Sequence, residues 1–256
     1  MIRFGVCAGF DKLQDVVKIG FDYIEMSLTT VAALSQQEFD QYKAAFDKCP
    51  IKSEAYNGFV PGDIKLTGPA VDNGRIDDFL EMSLSRAQAL GGKVVVFGSS
   101  AARNLPEDWT EQQAWPQLVD FCHKAGDVAS KKGITIVIEP LRKAESNILN
   151  LVREGYRLAK EVNHPHVKLL ADTYHMAVEY EGIDALADCA DMLYHVHTAN
   201  PVGRVCPAPG DGIDYVGILG MLQRSGYNHR FSIECGIQDF VPQLTAALAM
   251  FRSIVS

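Results

Sequence analysis

The chain has 256 residues, of which 47% are hydrophobic and 22% are charged, an ordinary composition for a globular protein with a sizeable core. Its formal net charge of −8 argues against a nucleic-acid partner, because the phosphate backbone rewards basic surfaces. No apolar stretch is long enough to span a bilayer, so no membrane partner is expected either.

The cysteines and the N-terminus indicate the compartment. The six cysteines are scattered and form no CxxC pair, which fits reduced thiols better than a disulfide framework or a zinc knuckle. The opening residues MIRFGVCAGFDK lack the apolar run of a secretory signal. We therefore expect a cytoplasmic protein.

Short β-like runs alternate with longer helical segments along the whole chain. In chain order the runs are RFGVCA (3–8), YIEMSL (23–28), KSEAYN (52–57), KVVVFGS (93–99), TIVIEPL (135–141), VKLLADTYH (167–175), LYHVHTA (193–199) and FSIEC (231–235). A segment that can hold a helix follows each of them. Pro116 lies inside the fourth helical segment, which predicts that this helix starts or kinks there.

Strands that alternate with helices form parallel sheets through right-handed crossovers. Eight such units in roughly 250 residues match a closed barrel. The alternative, an open doubly wound sheet, usually carries a glycine-rich phosphate turn after its first strand, but here that turn reads CAGFDK and has one glycine. We therefore predict the α/β class, with residues 1–256 forming a single (β/α)8 TIM barrel domain.

Four polar side chains occupy neighbouring strand ends of the predicted barrel. In such a barrel the active site lies at the C-terminal ends of the strands. The last inward residues of strands five to eight are Glu139, Asp172, His197 and Glu234. Because adjacent strands lie about 4.8 Å apart, these four side chains can converge on one ion.

The chemistry of this set indicates a metal. A single strand-end carboxylate is more often a helix cap or an ion-pair partner, but buried carboxylates gathered at one place are expensive without a cation. Three carboxylates and one imidazole favour Mn²⁺ or Mg²⁺, with Co²⁺ and Zn²⁺ as alternatives. We predict one divalent cation, with Mn²⁺ preferred.

Other polar residues lie near the same strands. His195 faces the same side as His197 but one layer deeper, so we interpret it as a supporting or core residue. Glu25, Glu54 and Tyr56 also lie near strand ends and are expected to contact substrate.

Several motifs resemble those of a known family. They are IEPLRKAE (138–145), LADTYHM (170–176), HVHTANPVGR (195–204) with PGDGIDY (209–215), and SIEC (232–235). They resemble the sugar-phosphate isomerase/epimerase proteins of the xylose-isomerase-like TIM barrel superfamily. The ketose 3-epimerases are the most similar members, and hydroxypyruvate isomerase is a close second.

The resemblance implies roles for individual residues. It assigns the metal to Glu139, Asp172, His197 and Glu234, and the acid/base pair to Glu139 and Glu234. It implies proton transfer at a carbon beside a carbonyl, through a metal-stabilised enediolate. The expected substrate-binding residues are Glu145, His175 and Arg204. The implied partner is a small sugar or hydroxy-ketone, and a homo-oligomer is suggested because barrels of this family often pair.

The loop after the seventh strand leaves the reaction open between two outcomes. Its sequence TANPVGR is closer to the hydroxypyruvate isomerase version, yet that version usually has glutamine where this chain has His197. Epimerisation and aldose–ketose isomerisation share one intermediate, so the motif does not separate them. We favour a ketose 3-epimerase, with a hydroxypyruvate-isomerase-like enzyme as the alternative.

Two more remote functions are alternatives to these. The superfamily contains an abasic-site endonuclease with three metals and further histidines, but three of the seven histidines here (His123, His164 and His166) fall in helices or a helix-to-strand loop. A non-catalytic sugar-binding protein is the other alternative. The presence of both Glu139 and Glu234 argues against it, because binding needs a proton-transfer pair less than catalysis does.

Overall fold

A computed structural model describes all residues from 1 to 256, and its core is an eight-stranded sheet. The strands are β1 (Arg3–Cys7), β2 (Tyr23–Ser27), β3 (Ser53–Asn57), β4 (Val94–Phe97), β5 (Thr135–Ile138), β6 (Val167–Asp172), β7 (Leu193–Thr198) and β8 (Arg230–Ile233). Each strand pairs in parallel with the next, and β1 pairs with β8, so the sheet closes. The predicted (β/α)8 barrel and its eight strands are confirmed.

Helices connect the strands on the outside of the barrel. They are α1 (Leu13–Ile19), α2 (Leu28–Ala33), α3 (Gln36–Lys48), α4 (Asn73–Ala89), α5 (Ser100–Arg103), α6 (Glu111–Lys131), α7 (Val152–Val162), α8 (Thr173–Val178), α9 (Asp184–Asp188), α10 (Tyr215–Arg224) and α11 (Phe240–Val255), with a 3₁₀ turn at Phe10–Lys12. None of these helices combines the length and apolar character needed to cross a membrane.

The strands differ from the predicted runs by one to three residues at their ends, and two differences at element boundaries have a local cause. The sixth strand ends at Asp172 rather than at residue 175, because the Asp172 carboxylate accepts a hydrogen bond from the Tyr174 amide at 2.9 Å and caps α8. Helix α6 does not start at Pro116. It begins five residues earlier, where Thr110 and Gln113 form a capping box, and it continues through the proline.

The barrel interior is packed in layers below the mouth. A cluster of six buried side chains fills the middle, contributed by strands β2 to β6: Tyr23, Ala55, Val94, Val96, Val137 and Leu170. At the opposite end from the mouth, the Glu54 carboxylate pairs with Arg3 and Arg230, both at 2.6 Å. These two layers close the lower part of the barrel, and the C-terminal ends of the strands are left as the place for a site.

Candidate active site

The upper end of the barrel brings together the four strand-end side chains that the sequence singles out. Glu139 follows β5, Asp172 ends β6, His197 is the fifth residue of β7, and Glu234 follows β8. One potential ligand atom from each residue lies within 4.8 Å of those from the others. Glu139, Asp172 and His197 are buried, whereas the Glu234 side chain keeps 23% of its surface exposed.

Strand register explains this convergence. Asp172 is the direct partner of His197 across the β6–β7 ladder. The Glu234 amide donates to the Thr198 carbonyl at 3.0 Å, which extends the β7–β8 pairing by one residue. The Glu139 amide likewise donates to the Phe97 carbonyl at 3.1 Å. The backbone ladder therefore fixes the height of each side chain in the barrel.

Burial and mutual charge shift the acidity of the cluster. Burial raises the pKa of Asp172 to about 7, and the nearby Glu234 and Glu139 carboxylates add to this effect. Burial also raises the pKa of Glu139. Burial acts in the same direction on Glu234, but the charges of His197 and Arg204 outweigh it and lower its pKa to about 2. The two predicted acid/base residues thus have opposite shifts.

His175 presents an unpaired polar atom to the site. Its Nδ1 accepts a hydrogen bond from the Arg142 amide at 3.3 Å, which leaves the ring proton on Nε2. Nε2 is buried, has no hydrogen-bond partner, and lies 3.4 Å from Asp172 Oδ2. Burial, followed by the charge of Arg204, lowers the pKa of His175 to about 3. A neutral imidazole with a free N–H donor therefore faces the cluster.

Arg204 reaches over the cluster from the loop after β7. Its Nη2 lies 2.6 Å from Glu234 Oε2 and 3.5 Å from Asp172 Oδ2, while Nη1 lies 3.6 Å from Glu145 Oε1. The guanidinium carbon lies 4.6 Å from the ring centroid of Tyr174, within cation–π range. The structure therefore brings all three predicted substrate-binding residues, Glu145, His175 and Arg204, to the rim of the cluster.

A cavity of about 390 Å³ opens above the carboxylates. Its lining includes five polar side chains of the site: Glu139, Glu145, His175, Arg204 and Glu234. The end of β3 and the segment after β4 complete the lining, with residues that include Asn57, Gly98 and Ser99. A second cavity of about 240 Å³ shares Asn57 and lies against Phe10 and Tyr42, whose rings stack with centroids 3.7 Å apart.

Three residues expected to contact substrate do something else. Glu54 forms ion pairs at the lower end of the barrel, far from the mouth. Tyr56 is fully buried in the hydrophobic core. Glu25 is also fully buried, and its carboxylate accepts hydrogen bonds from His195 and His197. Neither Glu54 nor Tyr56 lines a cavity at the mouth, and Glu25, which lines the smaller one, is held by two histidines. Proximity to a strand end alone therefore does not make a side chain available to substrate.

Two residues of the site were not predicted from the sequence. Asn57, the last residue of β3, donates from Nδ2 to Glu234 Oε1 at 3.3 Å, and the strand-end rule used for strands five to eight would have found it. Gly98 follows β4, and a Cβ added there would overlap Oε2 of Glu139. Nothing in the sequence signals that Gly98 must lack a side chain.

Comparisons with known proteins agree with this architecture. The family model for the xylose isomerase-like TIM barrel matches residues 13–254. The D-psicose 3-epimerase of Ruminiclostridium cellulolyticum is 27% identical over 223 residues, covering 84% of this chain and 74% of the relative. The L-ribulose 3-epimerase of Methylomonas sp. is 26% identical over 249 residues, covering 94% of this chain and 84% of the relative.

A solved structure agrees in fold over the full length. The D-psicose 3-epimerase of Clostridium cellulolyticum H10, solved with D-tagatose, superimposes with a TM-score of 0.84 at 20% identity, and all of both chains is covered. At that identity the likeness concerns the fold. The family match extends over almost the whole chain and includes every strand end that carries the cluster. This chain therefore belongs to the xylose isomerase-like TIM barrel family.

Proposed function

We propose that this protein is a divalent-metal-dependent sugar epimerase of the ketose 3-epimerase type. The observation that carries the proposal is the placement of two glutamates, Glu139 and Glu234, on either side of His197 at the mouth of the barrel. Their carboxylate oxygens lie 3.2 and 3.4 Å from His197 Nδ1. The similarity to psicose and ribulose 3-epimerases supports the same assignment.

The residues of the cluster fit a divalent cation. Glu139, Asp172 and Glu234 would supply carboxylate oxygens, and His197 would supply Nδ1. Three carboxylates this close together repel one another unless a cation compensates them, and hard oxygen ligands with one imidazole favour Mn²⁺. When bound, the cation would supply Lewis-acid stabilisation for negative charge that develops on neighbouring substrate oxygens.

The glutamate pair would perform the proton transfers. One carboxylate removes the proton from C3, and the electron pair of that C–H bond moves toward the adjacent carbonyl to give an enediolate. The other glutamate, protonated, returns a proton to the opposite face of C3 and the carbonyl re-forms. Opposite pKa shifts at Glu139 and Glu234 favour such a division between acid and base.

The remaining site residues would orient the sugar. The free Nε2–H of His175 can donate to a substrate oxygen, since it lacks any partner in the protein. Arg204 can donate from its rim position, and Glu145 holds Arg204 and Arg142 in place through contacts of 3.6 and 2.6 Å. These groups line the same cavity as Glu139 and Glu234.

The charge of the cavity favours a free sugar over a sugar phosphate. Arg204 is the one basic side chain that lines either cavity, apart from the neutral His175, and it is already paired with carboxylates. A phosphate group would need additional cations or a helix N-terminus aimed at it. We therefore propose an unphosphorylated ketose as the substrate.

An aldose–ketose isomerase of the hydroxypyruvate isomerase type is the second candidate. The loop sequence TANPVGR (198–204) favours it, whereas His197 favours the epimerase. The two reactions differ in the carbon that receives the proton. The isomerase returns the proton to the carbon on the other side of the enediolate double bond.

Deuterium exchange would test the proposal directly. The Mn²⁺-loaded protein is incubated in D₂O with a panel of free ketohexoses and ketopentoses, and with hydroxypyruvate, and the products are read by NMR. We expect deuterium at C3 together with the C3 epimer. Deuterium at C1 or isomerisation of hydroxypyruvate would support the second candidate. The absence of exchange into every compound, despite bound metal, would contradict an enzymatic function.

Gly98→Ala is expected to lower kcat/KM by about 10–100-fold, because displacement of a reacting group by roughly 1 Å costs that much. The added methyl group would push the Glu139 carboxylate out of the cluster. Gly182→Ala is a matched control, because a Cβ there meets no atom within 4 Å. Steady-state kinetics and thermal unfolding of both variants check the prediction. Unchanged kinetics in Gly98→Ala would show that Glu139 tolerates displacement.

A further inference from the structure

A buried carboxylate beneath the cluster has no role in the reaction proposed above. Glu25, the third residue of β2, is fully buried. Its Oε1 lies 2.9 Å from His197 Nε2, and its Oε2 lies 2.9 Å from His195 Nε2. The Ser232 hydroxyl donates to Oε2 at 2.6 Å. Both oxygens thus accept hydrogen bonds from the protein, one at Oε1 and two at Oε2.

The contact with His197 determines which ring nitrogen faces the cluster. Because Nε2–H donates to Glu25, Nδ1 is the nitrogen that faces Glu139 and Glu234, at 3.2 and 3.4 Å, and it would be the atom available to a cation there. A histidine that ligates a metal usually donates its other N–H to a carboxylate or a carbonyl, which fixes both the tautomer and the ring plane.

We propose that Glu25 is the positioning residue for the metal site: it holds His197 as the Nε2–H tautomer with Nδ1 aimed at the cation. This inference rests on the proposed function, because it assumes that His197 is a ligand. Glu25 does not touch substrate or metal in this arrangement. It acts through His197 alone.

Three strands hold Glu25 itself in place. Ser232 on β8, which donates to it, is bonded to the hydroxyl of Tyr23 on β2 at 2.7 Å. His195 on β7 contacts Glu25 through Nε2 and the Arg230 carbonyl through Nδ1, at 3.1 Å. Both nitrogens of His195 therefore face oxygen atoms of the protein, and neither is left to ligate a metal. We assign His195 a role in orienting Glu25. Groups on strands, rather than loops, set the geometry.

One competing arrangement uses the same atoms. Cys7, Glu25 and His197 also form a group that could hold a cation. A cation there would make Glu25 a ligand instead of a positioning residue. If it were bound through His197 Nε2, it would also displace the hydrogen bond between that nitrogen and Glu25. The number of cations bound per chain separates the two arrangements.

The first test uses the unaltered protein. It is loaded with Zn²⁺, which is diamagnetic, and the ¹⁵N shifts of the histidine rings are assigned by NMR. We expect His197 to be protonated at Nε2 and metal-bound at Nδ1, with one Zn²⁺ per chain. Metal bound through Nε2 would overturn the inference, and so would a second Zn²⁺ whose loss follows Cys7→Ser.

The second test uses Glu25→Gln, in which one oxygen becomes an NH₂ group that cannot accept a hydrogen bond from a histidine. We expect the Kd for Mn²⁺, measured by competition with a chelator, to rise about 10–100-fold, as other outer-shell changes do. Ser232→Ala removes one of the bonds to Glu25 and should fold readily; we expect a smaller rise of the same sign. Glu54→Gln, the same change at the lower end of the barrel, should leave the Kd unchanged.

The outcomes distinguish this inference from the proposed function. If the unaltered protein binds no divalent cation, the proposed metal dependence fails first. If it binds Mn²⁺ but Glu25→Gln or Ser232→Ala keeps the same Kd and the same His197 tautomer, the positioning role of Glu25 is refuted while the epimerase proposal stands. Should Glu25→Gln fail to fold, the NMR result and Ser232→Ala decide the question.

Discussion

Glu234→Gln is expected to lower the kcat/KM for ketose epimerisation by about 10²–10⁴-fold while the barrel stays folded. Gln keeps the volume of the side chain and one carbonyl oxygen, but it cannot accept a proton. The fold should tolerate the change because Glu234 is partly exposed, and Arg204 keeps contacts to Asp172 and Glu145 at 3.5 and 3.6 Å. Kinetics at saturating Mn²⁺, with bound metal measured in parallel, separate a lost base from a lost ligand.

A two-base mechanism also predicts how Glu139 and Glu234 variants differ from each other. If each glutamate serves one face of C3, Glu234→Gln still carries Glu139, which can exchange the C3 proton of one epimer with solvent. Glu139→Gln should exchange the C3 proton of the other epimer. Neither variant should interconvert the two sugars. Deuterium wash-in from D₂O, followed separately for each epimer, measures this directly.

The control for these variants is Glu181→Gln. Glu181 accepts a hydrogen bond from the Val152 amide at 2.9 Å and takes no part in the cluster, so kcat/KM should not change. Normal epimerisation by Glu234→Gln would refute its role in proton transfer. Exchange of the same epimer in both glutamate variants would favour a single-base mechanism instead.

The barrel and the cluster could be predicted because both depend on local patterns. Alternation of strand and helix signals specifies a parallel sheet, and eight repeats specify closure. In a parallel sheet, consecutive strand ends must lie side by side. The last inward residues of four consecutive strands, from Glu139 to Glu234, therefore meet whatever the details of packing.

The role of Glu25 could not be predicted in the same way. Strand β2 is not a neighbour of β7, so the contact of Glu25 with His197 crosses the barrel interior and joins residues 172 positions apart. It depends on the stagger of the closed sheet, which no single strand encodes. The need for glycine at position 98 could not be predicted for a similar reason. It arises from the position of the Glu139 side chain, just after the neighbouring strand β5.

Removing divalent cations with a chelator is expected to abolish epimerase activity, and Mn²⁺ or Co²⁺ is expected to restore it. The reason lies in the charge of the site. Glu139, Asp172 and Glu234 place three carboxylates close together, and Arg204 is the arginine that contacts them. Burial and the two neighbouring glutamates raise the pKa of Asp172 to about 7. Development of further negative charge on substrate would be unfavourable without a cation.

The same cation should stabilise the folded chain, which gives a readout independent of turnover. At a free Mn²⁺ concentration about 100-fold above Kd, binding contributes about 2.7 kcal/mol. For a protein of this size that raises Tm by roughly 5–10 °C. Asp172→Asn is the matched variant, since it removes one carboxylate from the cluster and should reduce the rise in Tm. Full activity in protein shown to be metal-free would refute the metal-dependent mechanism, whereas a Tm rise without activity would leave a metal site that serves binding alone.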